Sequence, residues 1–146
     1  MGILIDDRQK KHKISKIKIK IKAQAILNAL DSPEGELSIL VVDDSEIKIL
    51  NKNYLNRSGP TNVIAFPMKA GDFSDINPQL LGDVVISIET AGREALQSEI
   101  STEKRFAQLL VHGILHLFGF NHEKNKQDAR KMEKKSNELL RLIESY

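Results

Sequence analysis

The 146-residue chain is 40% hydrophobic and 29% charged, with a net charge of +2. That balance belongs to a soluble globular protein long enough to bury a real core, and residues 1–146 read as a single domain. It has no cysteine, which excludes a disulfide framework and a thiolate zinc site. It also has no apolar run near the roughly 20 residues that cross a bilayer, and no signal-peptide pattern opens it. The expected location is therefore the cytoplasm, with no membrane partner. The small net charge does not by itself announce a nucleic-acid partner.

Ile3, Leu4 and Ile5 make Gly2–Asp6 a short opening strand. Lys10–Lys22 carries lysine at 10, 11, 13, 16, 18, 20 and 22. Its isoleucines read two ways: Ile17, Ile19 and Ile21 alternate as in a strand, while Ile14, Ile17 and Ile21 share a helical face. The run continues into helix-forming Ala23–Leu30, so we expect one helix of about four turns. Ser32-Pro33-Glu34-Gly35 ends it as a turn. The lysines form a solvated face that also attracts anions.

Glu36–Val42 is rich in β-branched and apolar residues and predicts a strand. Asp43-Asp44-Ser45 caps a following helix, with Glu46 in the first turn and Ile47, Leu50 and Tyr54 on one face. The loop Asn56–Pro60 ends that helix. Thr61–Phe66 predicts a strand stopped by Pro67, and Lys69–Pro78 a loop. Leu81–Ile88 is the most strand-like run, and Thr90–Gln97 is helical in pattern. Ser101 opens a long helix through Phe106, Leu109, Leu110 and Val111. Asn125–Ser145 is a charged amphipathic helix with Met132, Leu139, Leu142 and Ile143 on its apolar side. About four strands and about five helices predict an α+β fold (α/β-like), a small mixed sheet covered by helices.

Three of the four histidines fall within His112–His122, HGILHLFGFNH. Residues four apart on a helix stack on one face, so His112 and His116 project side by side. Gly119 lacks Cβ and suits the left-handed turn that ends a helix, after which His122 can swing back toward the pair. Three neutral imidazoles with positions left for water describe a catalytic zinc-type site holding one ion. Imidazole also suits other divalent transition metals. The spacing H-x3-H-x2-G-x2-H equals that of metzincin proteases, which place a general-base Glu directly after the first His. Here that position is Gly113, so peptide hydrolysis by that route lacks its base. The catalytic group left is the metal-bound water, or a base from elsewhere in the chain.

Three separated signatures resemble one family. HGILHLFGFNH is similar to HGxLHLxGYDH, LNKNYLNRSGPTNVIAFP (Leu50–Pro67) to LNxxYRxxDxPTDVLSFP, and LGDVVIS (Leu81–Ser87) to LGDIxIS. The chain thus resembles the YbeY family of bacterial rRNA maturation factors over nearly its full length. The resemblance implies a mostly parallel sheet flanked by helices and zinc held by His112, His116 and His122. It further implies a single-strand-specific, metal-dependent endoribonuclease that meets ribosomal RNA and ribosomal particles. The chain departs from the pattern at Leu55, where the family has Arg, with Arg57 two residues on. Ser58-Gly59 stand before Pro60 without the acid, and Asn121 replaces Asp. Arg57 is the candidate replacement for contacting substrate phosphate. Two other readings stand beside this one: a different zinc-dependent hydrolase of metallopeptidase type, and a non-catalytic ribosome assembly factor with a structural metal.

Overall fold

The computed structural model describes residues 2–68, 79–120 and 125–146. The predicted loop Lys69–Pro78 and residues Asn121 and His122 lie outside the described residues. The elements run β1 (Ile3–Asp7), α1 (Lys16–Ala29), β2 (Glu36–Val42), α2 (Asp44–Leu55), β3 (Val63–Pro67), β4 (Leu80–Ser87), α3 (Ile88–Gln97), α4 (Thr102–Leu117) and α5 (Lys126–Ile143). The sheet order is β1-β2-β4-β3. β1 and β2, and β2 and β4, pair in parallel, while β3 runs antiparallel against β4. This is the α+β arrangement, a small mixed sheet covered by helices, that the strand and helix signals predict, with the mostly parallel pairing that the family resemblance implies.

Strand alternation sorts side chains onto two faces. Leu37, Ile39, Val41, Val63, Val84 and Ile86 face the main core with α1 and α4, while α5 packs outside against both helices. Val42, Ile64 and Val85 face the other way and pack with Ile47 of α2. The parity on β4 holds because a bulge intervenes: Glu36 pairs with Leu80, but Leu37 pairs with Gly82. Gly82 has φ +135°, and a Cβ there would collide with the Phe66 carbonyl oxygen. Only glycine lets β3 approach β4 at that point.

Each helix starts on a side-chain cap. Ser15, Asp43, Ser87, Ser101 and Asn125 accept from the backbone N–H three residues on. Such caps satisfy one orphan donor and are worth about 1 kcal/mol each.

Three predicted details differ. α1 spans Lys16–Ala29, about the four turns expected, but its buried face is Ile19, Ala23, Ile26 and Leu27. Ile17 and Ile21 are 73% and 46% exposed. On α2, Ile47 and Asn51 are buried, while Tyr54 is 68% exposed and makes an edge-on contact with Phe66, centroids 5.7 Å apart. On α5, Leu142 is 40% exposed, and the apolar seam is Met132, Leu139 and Ile143. Among the described residues no helix is long and apolar enough to cross a membrane.

Candidate metal centre

α4 supplies the centre. Its residues Phe106, Ala107, Leu109, Leu110, Val111, Ile114, Leu115 and Leu117 are buried, while Arg105, Gln108, His112 and His116 are only half-buried. At 100° per residue those four polar positions share one face of the helix. The imidazoles of His112 and His116 stand with centroids 4.5 Å apart and planes inclined at 72°. Their Nε2 atoms converge to 3.0 Å. Two ligands of a tetrahedral zinc at about 2.0–2.1 Å sit about 3.3 Å apart. The donor set therefore fits a shared cation with sub-ångström adjustment.

The helix ends as the sequence requires for a reversal. Gly119 has φ +91°. Its N–H donates to the His116 carbonyl at 3.0 Å, and the Phe120 N–H donates to the Leu115 carbonyl at 3.1 Å. These are the two bonds of a Schellman stop. It turns the chain immediately after His116 and before the segment carrying His122, which lies outside the described residues. Among the described residues, no group of three or more potential ligands forms.

Gly113 brings the three sequence signatures into contact. A Cβ there would lie 2.6 Å from Val84 Cγ1 and 3.2 Å from Val63 Cγ2. Val84 belongs to LGDVVIS and Val63 to the proline-bounded strand, so α4 rests its glycine on both. The position that holds a glutamate in metzincins thus faces the sheet here and admits no side chain.

The other signature residues hold the frame. Asn51 Nδ2 donates to the Gly59 carbonyl at 2.9 Å, closing the loop between α2 and β3; its Oδ1 is buried without a partner among the described residues. That loop carries Arg57, which is exposed and makes no side-chain hydrogen bond or ion pair among the described residues. Leu55, where the family pattern has Arg, is 40% exposed at the end of α2. Ser87, fully buried, donates to Asp44 Oδ1 at 2.6 Å, as does Thr90. Arg93 pairs with Asp44 Oδ2 at 2.7 Å. Desolvation raises the Asp44 pKa, but hydrogen bonds from Ser87, Thr90 and Arg93 outweigh it and leave the carboxyl below its ordinary value.

One network escaped the sequence reading. Arg105 Nε donates to Glu94 Oε1 at 3.0 Å and its terminal nitrogen donates to Gln108 at 2.8 Å. Asn62 Nδ2 reaches both Glu94 oxygens at 3.3 Å. It braces the turns of α4 that precede His112. The polar residues Arg105 and Gln108 at positions i−7 and i−4 from His112, on the same face of the helix, were the available signal.

A family model described as Endoribonuclease YbeY matches residues 4–144. The chain belongs to the YbeY family. Among YbeY relatives, that of Geobacter sulfurreducens is 44% identical over 146 residues, covering 99% of this chain and 97% of its own. That of Syntrophotalea carbinolica is 46% identical over 145 residues, covering 98% and 97%. Both carry the name Endoribonuclease YbeY. The solution structure of TM1509 from Thermotoga maritima superposes with a TM-score of 0.70 at 24% identity, covering 97% of this chain and 88% of that one. That likeness speaks to the fold alone, and it agrees with the YbeY assignment.

Proposed function

We infer that this chain is an endoribonuclease that cleaves single-stranded RNA during ribosomal RNA maturation, using one divalent cation, zinc first among the candidates. The observation that supports it most is the convergence of the His112 and His116 Nε2 atoms to 3.0 Å on a helix where the residue after His112 admits no carboxylate. Its relatives' shared name, Endoribonuclease YbeY, supports the substrate class.

His112 and His116 hold the cation through their Nε2 atoms, and we assign His122 as the third ligand. When bound, such an ion supplies Lewis-acid charge at a phosphoryl oxygen and brings the pKa of a coordinated water toward about 7. The protein's own contribution is placement. The Schellman stop and the Gly113 contact fix the two imidazoles against the sheet, and the Glu94–Arg105 brace stiffens the helix behind them. Arg57, exposed and unneutralised among the described residues, binds a backbone phosphate in place of the arginine missing at Leu55. The reaction belongs in the cytoplasm, on ribosomal particles or their precursors.

The peptidase reading fails on sterics. A glutamate at position 113 would have to displace Val84 before it reached anything. The test is cleavage of a ribosomal RNA precursor by the wild-type chain and by His116→Ala. Loss of roughly a hundredfold or more is expected on removing a ligand, since even residues that only support ligands cost 10–100-fold. Undiminished cleavage by the variant would discard the proposal.

A further inference from the structure

A cavity lies on the side of α4 away from the histidine pair. It encloses about 320 Å³ between the start of α1 and the first turns of α4. Its α4 lining comes from Thr102 in the first turn and from Glu103, Phe106, Ala107 and Leu110. At 100° per residue the last four of these positions point roughly opposite to His112 and His116. The cavity is therefore separate from the metal centre.

Its chemistry is split. The floor is apolar, with Ile19, Phe106 and Leu110. The rim is cationic, with Lys13, Lys18 and Lys22. Lys22 is spoken for by Glu103 at 3.5 Å. Lys13 and Lys18 are exposed, and the ion-paired lysines among the described residues are Lys11, Lys22 and Lys135. Two lysines without an ion pair among the described residues thus border an apolar recess. The volume sits at the lower end of small-ligand pockets, which span about 300–1,000 Å³. That suits a ligand the size of one nucleotide and leaves no room for a folded peptide.

We propose that this cavity is an RNA exosite that receives one nucleotide of a single-stranded RNA, its phosphate on Lys13 and Lys18 and its base over the apolar floor. A flat aromatic group that carries its own anion matches both halves of the cavity, and single-strand binders combine cationic grooves with apolar or aromatic seats in this way. The inference rests on the endoribonuclease reading and adds to it a binding site away from the reacting centre. It places bound RNA on both sides of α4, so that strand binding and strand scission use different residues.

The experiment uses the full chain carrying His116→Ala, so that RNA is bound and not consumed. Binding of a fluorescein-labelled single-stranded RNA is followed by anisotropy across a salt series. Lys13→Glu with Lys18→Glu is expected to weaken binding roughly tenfold or more and to flatten the salt dependence by about 0.7, the share of the one phosphate left unneutralised. Lys16→Glu with Lys20→Glu changes the charge of the chain by the same amount. Those residues sit two positions either side of Lys18, on the other side of the helix and outside the cavity. This pair is expected to weaken binding by a clearly smaller factor. Thr102→Tyr, which narrows the cavity without changing charge, is expected to weaken binding and leave the salt dependence alone. Circular dichroism checks that each variant folds. Equal effects of the two lysine pairs, or no effect of Thr102→Tyr in a folded chain, would overturn the exosite. If the wild-type chain fails to cleave RNA while the Lys13/Lys18 dependence persists, the endoribonuclease reading falls and the exosite stands.

Discussion

Replacing Gly113 by alanine tests the contact on which the metal centre rests. In an exposed helix interior this change stabilises by about 0.8–1.0 kcal/mol through helix propensity. Here the new Cβ would sit 2.6 Å from Val84 Cγ1, 3.2 Å from Val63 Cγ2 and 3.3 Å from Val84 Cγ2. Val84 is fully buried in β4, so it has no free direction to yield. Overpacking of this kind costs roughly 1–3 kcal/mol. Setting one against the other leaves a net loss of about 0–2 kcal/mol. Urea unfolding followed by circular dichroism measures it. In the double variant with Val84→Ala, the two losses are expected to add to less than their sum, because the shortened valine vacates the space the Cβ needs. Activity falls along with stability, since α4 must lift from the sheet and carry His112 and His116 with it. A stabilised Gly113→Ala chain with full activity would refute the packing described here.

Other outcomes follow from the frame around the centre. Asp44→Asn is expected to cost about 1.5–3 kcal/mol, because Ser87 and Arg93 lose a charged acceptor. The depressed Asp44 pKa means that its contribution is complete above the ordinary Asp value of about 3.9 and is lost as pH falls through the folded value. Thermal melts of the wild type should therefore decline more steeply than those of Asp44→Asn on acidification below about pH 4; parallel curves would contradict this. Asn51→Ala is expected to cost about 1 kcal/mol as the Gly59 bond goes, and to loosen the loop that carries Arg57, so that KM for RNA rises more than kcat falls. Arg57→Ala is expected to raise KM and reduce the salt dependence of RNA binding by about 0.7, the share of one phosphate contact on a single strand. An unchanged slope would remove Arg57 from the substrate path.

Much of the fold was legible because the signals were local. β2 runs from Glu36 to Val42 as its apolar composition predicts, and the caps at Asp43 and Ser101 open α2 and α4. α1 was harder. KIKIKIK satisfies the strand period and the helix period together, so the isoleucines did not reveal which face is buried. The choice falls to Ala23, Ile26 and Leu27 further along, which leaves Ile17 and Ile21 in solvent. Asn51 was illegible for a different reason. Its burial follows from the Gly59 carbonyl that the loop brings to it, a long-range closure that no periodicity reports. The histidine pair was plain from spacing. The sheet contact that holds Gly113 was not, because it needs Val63 and Val84 from separate strands. The cavity beside Lys13 and Lys18 likewise arises only when α1 meets α4.

The most direct measurement is the metal content of the purified chain by elemental mass spectrometry, beside that of His116→Ala. The account predicts about one divalent transition-metal ion per chain in the wild type, as a single His-ligated centre requires, and none in the variant. Equal metal in both, or none in a wild type that still cleaves RNA, would contradict it.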